Sequence, residues 1–238
     1  MAGETIKAEA ICLDIRPWSK TSHVVSWLTP HGKVATVVKG AVRPKSFFLG
    51  QYDLNYTCDI LYYARARGEL HALRDCAPLA RRDALRDDYR RLAMAGYFRR
   101  LVAEFAPTGP DAAAWHELLT RALDALATAK EVGSVPRDVG SVPNDSSARV
   151  VALVAFELKI LHLLGLDPAL EAESGVFALR GERTIPVSRE VALFLRDPTR
   201  PVENGQIPLD AARVIGVFYQ FHLEWSSDVR RSVLGMIC

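Results

Sequence analysis

The stretch from Lys39 to Phe48 holds the residue types best suited to binding chemistry in this chain. It reads Lys-Gly-Ala-Val-Arg-Pro-Lys-Ser-Phe-Phe, so three cations stand beside two aromatic residues, and glycine and proline favour an irregular loop. Cations replace the counterions of a phosphate backbone, and flat aromatic faces stack on unpaired bases. The pattern therefore predicts a site for single-stranded nucleic acid.

The loop lies in a segment without acidic residues that runs from Arg16 to Tyr52. Such a run favours a surface that faces a polyanion, although it also fits a solvated basic face or edge strands protected by charge. Six cations on the phosphates of a single strand would make log affinity fall with log salt at a slope of about −4. The DNA contacts that we expect are Arg16, Lys20, Lys33, Lys39, Arg43, Lys45, Phe47 and Phe48.

Motifs for catalysis and metal binding are almost absent from the sequence. The six histidines are dispersed, and neither GxSxG nor HExxH occurs. The segment Gly40–Ser46 is similar to a phosphate-binding loop, but it lacks the second glycine of that motif. The four cysteines are widely spaced, which favours reduced thiols in a cytosol over disulfides or a structural zinc site. We therefore expect a non-enzymatic protein without cofactor or metal; a hydrolase with dispersed catalytic residues is the enzymatic alternative.

The elements that must position these residues change type near residue 80. Before it, short valine-rich runs and tight turns such as Thr29–Gly32 predict five strands, and closure into a small barrel would remove their exposed edges. The first run has apolar residues on both faces, so its alternation is weak or the strand is buried on both sides. Trp18 and Tyr63 could add stacking surface, and so could Trp27 and Tyr62, which suit the core better.

After Pro78 the apolar residues recur at helical spacing. The spacing predicts helices over residues 82–105, 111–127, 148–164 and 209–225. Residues 131–147, rich in proline, glycine and serine, predict a flexible loop, and residues 176–187 predict a small hairpin. The fold class expected is α+β: a five-stranded barrel over residues 1–80, then a mainly helical domain over residues 81–238 with a β-hairpin insertion. We recognise no membrane span and no export signal.

A second binding site is predicted in the helical part. Phe156 and Leu161, together with Arg149 and Lys159, suit a groove for a short acidic peptide that carries an aromatic residue. The cations would bind the carboxylates of that peptide. The alternative is that Phe156 and Leu161 are ordinary core residues of the helix.

Several segments, taken in order, resemble the bacterial RecO family. In the first 80 residues they are Arg16–His23, Leu28–Val34, Val38–Ser46 and Gly68–Arg74, and beyond them Tyr97–Leu101, Phe156–Gly165 and Phe221–Glu224. The resemblance implies that the barrel is an OB-fold, the oligonucleotide-binding type, joined to a helical domain. It also implies a recombination mediator in DNA repair, located in the cytoplasm with the nucleoid.

The resemblance implies partners and a mechanism without bond chemistry. RecO proteins bind single-stranded or gapped DNA, anneal strands, and act with RecR, and often RecF, to help RecA replace single-strand DNA-binding protein. The likeness places a basic DNA-binding loop on Lys39, Arg43 and Lys45. It places a groove for the acidic tail of single-strand DNA-binding protein on Phe156, Lys159 and Leu161.

One departure from the family concerns metal. Many RecO proteins carry a four-cysteine zinc module after the central helix, whereas Asp167–Pro186 contains no cysteine here. We therefore expect a hairpin in the region 167–187, packed by Val176, Phe177 and Ile185, and no metal. The alternative from another functional class is a non-catalytic adaptor whose barrel binds a peptide or a protein subunit rather than DNA.

Overall fold

The first 80 residues form five strands that close into a barrel. A computed structural model of the protein describes residues 4–65, 68–128, 145–168, 170–171, 176–178, 184–199, 204–225 and 227–238. The strands are β1 (Thr5–Ser19), β2 (Ser22–Thr29), β3 (Gly32–Val38), β4 (Thr57–Tyr63) and β5 (Leu70–Ala80). Their order is β1-β2-β3-β5-β4, and the pairing is antiparallel except between β3 and β5. The barrel and the helices that follow confirm the predicted α+β fold with an OB-fold at its start.

The elements after the barrel are mainly helical. They are α1 (Tyr89–Phe105), α2 (Ala113–Thr128), α3 (Asp145–Leu163), β6 (Leu170–Glu171), β7 (Val176–Ala178), β8 (Thr184–Pro186), α4 (Arg189–Arg196), α5 (Gln206–Leu223) and α6 (Ser227–Ile237). The chain divides into two compact units, residues 1–129 and 130–238, so α1 and α2 belong to the same unit as the barrel. In the parts of the chain described here, every helix is too short or too polar to cross a membrane.

Alternate residues of the strands fill the barrel interior. Trp27 is fully buried there, and its indole N–H donates a hydrogen bond to Thr36 Oγ1 at 2.8 Å, so the polar end of the ring is satisfied. Tyr62 is also buried, which confirms the core positions expected for these two aromatic residues. The interior residues are Ala10, Cys12, Val25, Trp27, Val38, Ala41, Tyr56, Cys58, Ile60, Tyr62, Leu73 and Cys76.

Strands β1 and β2 are buried on both faces. Ile11, Leu13 and Leu28 lie outside the interior cluster, yet none of them is more than 1% exposed. The reason is that α1 packs against β1 and α2 packs against β2. The Arg99 guanidinium of α1 donates a hydrogen bond to the carbonyl of Leu13. A strand covered on both sides needs apolar residues on both sides, which explains the weak alternation in its sequence.

The turn between β2 and β3 packs directly against the segment before α2. Gly32 has a φ of +131°, and a Cβ atom there would lie 2.5 Å from the carbonyl oxygen of Thr108. Only glycine combines this backbone conformation with such a close approach. Thr29 Oγ1 donates a hydrogen bond to the Gly32 carbonyl at 2.9 Å and closes the turn from inside. The barrel and the α1–α2 pair are therefore packed to each other at backbone distance.

Three of the four cysteines share the barrel interior, although they are far apart in sequence. Cys12, Cys58 and Cys76 are buried and unpaired, whereas Cys238 is exposed. The Cys58 and Cys76 sulfurs lie 3.6 and 3.7 Å from the carbonyl oxygen of Gln51. Hydrogen bonding to Cys58 and burial raise the pKa of the Cys76 thiol, and burial raises that of Cys12. Reactivity follows the thiolate form, so these two thiols are inert in the folded chain.

We expect the native protein to show one rapidly reacting thiol, Cys238, and three that react only on unfolding. The measurement is titration with a thiol-specific chromophoric reagent at mildly alkaline pH, with and without denaturant. The control is Cys238→Ser, which should remove the rapid phase and leave the other three thiols unchanged. Rapid labelling of any thiol in native Cys238→Ser would contradict the packing of the barrel interior.

In the first unit, helix α1 and strand β5 have boundaries that differ from those predicted from the sequence. Helix α1 begins at Tyr89 rather than at residue 82, because the Asp88 carboxylate caps it by accepting the Arg90 backbone N–H at 2.8 Å. Strand β5 continues to Ala80, whereas the run of residues 69–73 alone predicts a strand that ends at residue 73. Pro78 lies opposite Cys58, where the ladder shifts register, and such an irregularity accommodates a residue without an N–H.

The second unit also departs from the sequence predictions. Residues 145–147, assigned to a loop, begin helix α3, and the rest of that loop, 131–144, lies outside the described residues. The hairpin is present as β7 and β8, with β6 added beside β7. Ile185 is half-buried, whereas the side chains of residues 176 and 177 lie outside the description. Helices α4 and α6 were not predicted; α4 begins where Ser188 Oγ accepts the Val191 N–H at 3.2 Å.

A buried ion pair joins three helices of the second unit. Arg230 of α6 donates from Nε and Nη2 to the two carboxylate oxygens of Glu157 at 2.7 and 2.8 Å. Nη2 also donates to the carbonyl of Ala212 at 2.7 Å, and Tyr219 Oη donates to the carbonyl of Glu157 at 2.9 Å. A Cβ at Gly216 would lie 2.5 Å from the guanidinium, so α5 leaves room for the arginine. The charged pair thus fixes α3, α5 and α6 together.

Candidate nucleic-acid interface

Hydrogen bonds from two backbone N–H groups hold the loop after β3 against the turn between β1 and β2 and against the first residue of β2. The Val42 N–H donates to the Thr21 carbonyl at 3.3 Å, and the Gly40 N–H donates to Ser22 Oγ at 3.2 Å. Gly40 has a φ of +68°, in the left-handed region that glycine adopts without strain. Two segments that are distant in sequence therefore meet at one place on the barrel.

Two apolar side chains anchor the loop to the barrel. Ala41 is buried in the interior cluster, and Phe48 packs against that cluster while remaining half-buried. Between them the backbone forms successive turns: Arg43 N–H donates to the Gly40 carbonyl at 3.1 Å, and Ser46 N–H donates to the Arg43 carbonyl at 2.9 Å. The loop is thus fixed by its own turns and by apolar contacts, and its charged side chains face solvent.

The exposed side chains of the turn and the loop form a basic and aromatic surface, which we call the tip patch. Phe47 is 67% exposed, and its ring packs edge-on against Phe48 with centroids 5.8 Å apart. Trp18 is 62% exposed and lies where the β1–β2 ladder shifts register. The tip patch consists of the half-buried Phe48 and the exposed residues Arg16, Trp18, Lys20, Lys39, Arg43, Lys45 and Phe47.

Most cations of the tip patch have no carboxylate beside them. Arg16 is the exception, because its Nε lies 2.5 Å from Asp14 Oδ2. Within the described ranges, no carboxylate forms an ion pair with the other four cations, which are Lys20, Lys39, Arg43 and Lys45. These four exposed cations therefore keep their charge available to an anion in solvent.

Lys33 is placed differently from the other predicted DNA contacts. It is half-buried at the start of β3, and its Nζ donates to the Ala103 carbonyl near the end of α1 at 3.0 Å. Burial lowers the pKa of its ammonium group. A cation at the carbonyl end of a helix stabilises that helix, so its charge is used inside the unit. The structure brings the other seven predicted contacts together in the tip patch and separates Lys33 from them.

The four residues predicted to bind a partner peptide do not share one surface. Phe156 and Leu161 are 4% and 0% exposed, which matches the alternative that they are core residues of α3. Arg149 donates from Nε to the Ile237 carbonyl at 3.1 Å, and Lys159 is exposed. A peptide groove that uses these residues stays a prediction, and burial of its two apolar members is the obstacle to it.

Metal binding has no candidate site in what the structure describes. Across those ranges, no three His, Cys, Asp or Glu side chains are arranged to hold an ion. In the region 167–187, residues 169, 172–175 and 179–183 lie outside the description. The expectation of a metal-free protein therefore stays a prediction.

Three exposed aromatic residues, Trp18, Tyr63 and Tyr89, lie outside the set of predicted DNA contacts. Trp18 and Tyr63 were named from the sequence only as added stacking surface, and Trp18 stands between Arg16 and Lys20. Tyr63 is 41% exposed, and the Arg74 guanidinium carbon lies 5.4 Å from the centroid of its ring. The contact between Tyr63 and Arg74 depends on the register of β4 and β5, so no local sequence pattern identifies the pair.

The chain is similar to proteins of known family over both of its units. The family model described as Recombination protein O N terminal matches residues 1–82. The chain is 30% identical over 167 residues to the DNA repair protein RecO of Moorella thermoacetica, a match that covers 70% of this chain and 55% of that protein.

Two further relatives carry the same description. The DNA repair protein RecO of Roseiflexus sp. is 28% identical over 234 residues, which cover 98% of this chain and 76% of the relative. That of Alkaliphilus metalliredigens is 29% identical over 168 residues, which cover 69% of this chain and 60% of the relative. The chain thus spans less than two thirds of the length of two of the three relatives.

Proposed function

Because this chain belongs to the RecO family, we propose that it binds single-stranded or gapped DNA through the tip patch. The family assignment supports a role in DNA repair and recombination. The observation that carries the proposal is a group of four cations, Lys20, Lys39, Arg43 and Lys45, with which no described carboxylate forms an ion pair. They lie beside exposed aromatic rings on an OB-fold. These are the two features that single strands require, charge for the phosphates and flat faces for the bases.

Hydrogen bonds hold the backbone of the loop in one shape. Its turns and its contact with the β1–β2 turn fix the backbone before DNA arrives. Ordering a mobile loop costs binding free energy, so a fixed loop retains more of the gain from each phosphate contact. Contacts of this kind are made to the backbone and depend little on base sequence.

Sequence-independent and salt-sensitive binding suits a protein that captures a strand and releases it. We propose that the protein anneals strands and helps RecA replace single-strand DNA-binding protein, with no bond made or broken. RecR, and often RecF, would be the partners at the DNA. RecA would be an indirect partner, with no direct contact to this protein required. The acidic tail of single-strand DNA-binding protein would bind the helical unit, where Lys159 is exposed.

The test is fluorescence anisotropy with labelled single-stranded and duplex oligonucleotides over a series of salt concentrations. Four cations on single-strand phosphates give an expected log–log slope of about −3, less steep than the value of about −4 for six cations. Duplex DNA serves as the comparison for strand preference. No shift of the labelled strand, or a slope near zero, would contradict the proposal and favour the adaptor alternative.

A further inference from the structure

We propose that the outward side of helix α1 is a docking surface for a second copy of this chain, which packs its own α1 there in the antiparallel direction. The residues of this surface, which we call the α1 face, are Tyr89, Leu92, Ala93, Gly96 and Arg100. Their spacing of one, three and four residues places them on one side of the helix. The α1 face contains no residue of the tip patch, so the inference goes beyond the proposed function and does not rest on it.

Helix α1 is apolar on its exposed side as well as on its buried side. The residues buried against the rest of its unit are Met94, Ala95, Tyr97, Phe98, Leu101 and Val102. On the opposite side Tyr89 and Leu92 are 58% and 42% exposed, and residues 92–98 include no charge. A helix that borders water usually has charged and polar residues on that side, whereas a helix that is apolar all round is covered. The composition of α1 is therefore that of a helix covered on both sides.

Gly96 leaves space for close contact at the centre of the α1 face. Glycine inside a helix costs about 1 kcal/mol relative to alanine. At Gly32 and Gly216 the chain itself explains the glycine, because an added Cβ would lie 2.5 Å from another atom. At Gly96 an added Cβ would have no atom within 4 Å beyond its own helix backbone. The open space at Gly96, with the small Ala93 beside it, can instead admit a side chain from outside, such as the exposed Leu92 of a second copy.

The charges at the two ends of the α1 face identify the occupant as a second copy. Asp87, just before the helix, and Arg100, near its end, are both exposed. Among the described residues, neither of them forms an ion pair. Glu104, one turn after Arg100, interacts with the Lys33 ammonium. A surface with an acid at one end and a base at the other is complementary to itself when two copies are antiparallel, which is the two-fold arrangement most common in dimers.

One register satisfies the apolar contact and the charges together. When Leu92 of each copy packs over Gly96 of the other, Arg100 comes opposite residue 88 of the other copy and next to its Asp87. The α1 face is about 16 Å long from Tyr89 to Arg100. A single pair of helices buries less than a standard interface of about 1,600 Å², so we expect a weak dimer with a Kd of about 10–100 µM. Oligonucleotide binding at nanomolar protein would then be measured on the monomer.

The first test is sedimentation equilibrium of the full-length chain over a concentration series that brackets this Kd. Gly96→Leu fills the space at the centre of the α1 face and is expected to weaken self-association by about 5- to 150-fold, the effect of overpacking by one side chain. The matched control is Gly235→Leu in α6, where an added Cβ also has open space. It should associate as the unaltered chain does. Circular dichroism of both variants checks that the fold is kept.

The second test exchanges the charges at the ends of the α1 face. Arg100→Asp gives a copy with two acids and Asp87→Arg gives a copy with two bases, so each variant alone should self-associate less than the unaltered chain. An equimolar mixture of the two should associate again, because each acid then faces a base. A monomeric unaltered chain throughout the series, or a dimer that Gly96→Leu does not weaken, would overturn the proposal. No recovery in the mixture would overturn the antiparallel register, and strand binding by the tip patch would stand in each case.

Discussion

Reversing two charges of the tip patch, Arg43→Glu with Lys45→Glu, is expected to weaken single-strand binding by about 1000-fold at low salt. A unit charge at contact distance from a phosphate is worth about 1 kcal/mol in water, and the double variant changes four charge units. About 4 kcal/mol corresponds to nearly three factors of ten in affinity. The slope of log affinity against log salt should also become shallower, from about −3 to about −1.4, because two of the four cations without ion pairs to described carboxylates remain. Anisotropy at several salt concentrations measures both quantities.

The matched control reverses two exposed arginines of the same unit that lie outside the tip patch, Arg81→Glu with Arg100→Glu. Both doubles change net charge equally, but salt screens the distant charges over about 10 Å. The control should lose much less affinity and keep the steeper slope. Equal losses in the two doubles would show that net charge, not the tip patch, attracts the strand.

Breaking the buried ion pair of the second unit is expected to have the largest effect on stability. Arg230→Met leaves the Glu157 carboxylate buried without its partner and removes the donor to the Ala212 carbonyl. Loss of one partner of a buried ion pair lowers the free energy of unfolding by about 3–5 kcal/mol. That is a large part of the total stability of a typical domain, about 5–15 kcal/mol. Urea unfolding followed by circular dichroism measures the change.

Two comparisons separate the pair from general effects of the substitution. Arg231→Met changes the neighbouring residue, which is exposed and pairs with Asp228 on the surface. This substitution should lower the free energy of unfolding only slightly. Glu157→Leu with Arg230→Met removes both charges and should recover much of the stability lost in the single variant. If Arg230→Met were as mild as Arg231→Met, the buried pair would not be what fixes α3, α5 and α6.

Local patterns were sufficient for the barrel and for helices α3 and α5, but not for α6, the third helix that the buried pair joins. The valine-rich runs and the turn at residues 29–32 predict strands without reference to the rest of the chain. Helix α6 carries Arg230 at its centre, and an arginine in a polar segment suggests a solvated residue. Its burial depends on Glu157, which is 73 positions away in sequence. No local pattern carries that information, so α6 was missed.

In the candidate site, too, local sequence predicts some features, whereas others arise only from packing between distant segments. The composition of the loop after β3 identifies its cations and its aromatic residues, because those types depend on nothing else. Lys33 belongs to the same acid-free run, but its ammonium group binds the end of α1, a contact that only the packing of helix on barrel creates. The Tyr63–Arg74 pair likewise follows from strand register. Residue type is therefore readable from the sequence, whereas orientation is not.

The apolar outer face of β1 and β2 has a practical meaning for dissecting the protein. A fragment that stopped near residue 82, where the family match ends, would expose Ile11, Leu13 and Leu28 to water. Exposing three such side chains costs about 5–9 kcal/mol, enough to melt an excised barrel. A stable fragment that contains the barrel would also need helices α1 and α2, which cover β1 and β2.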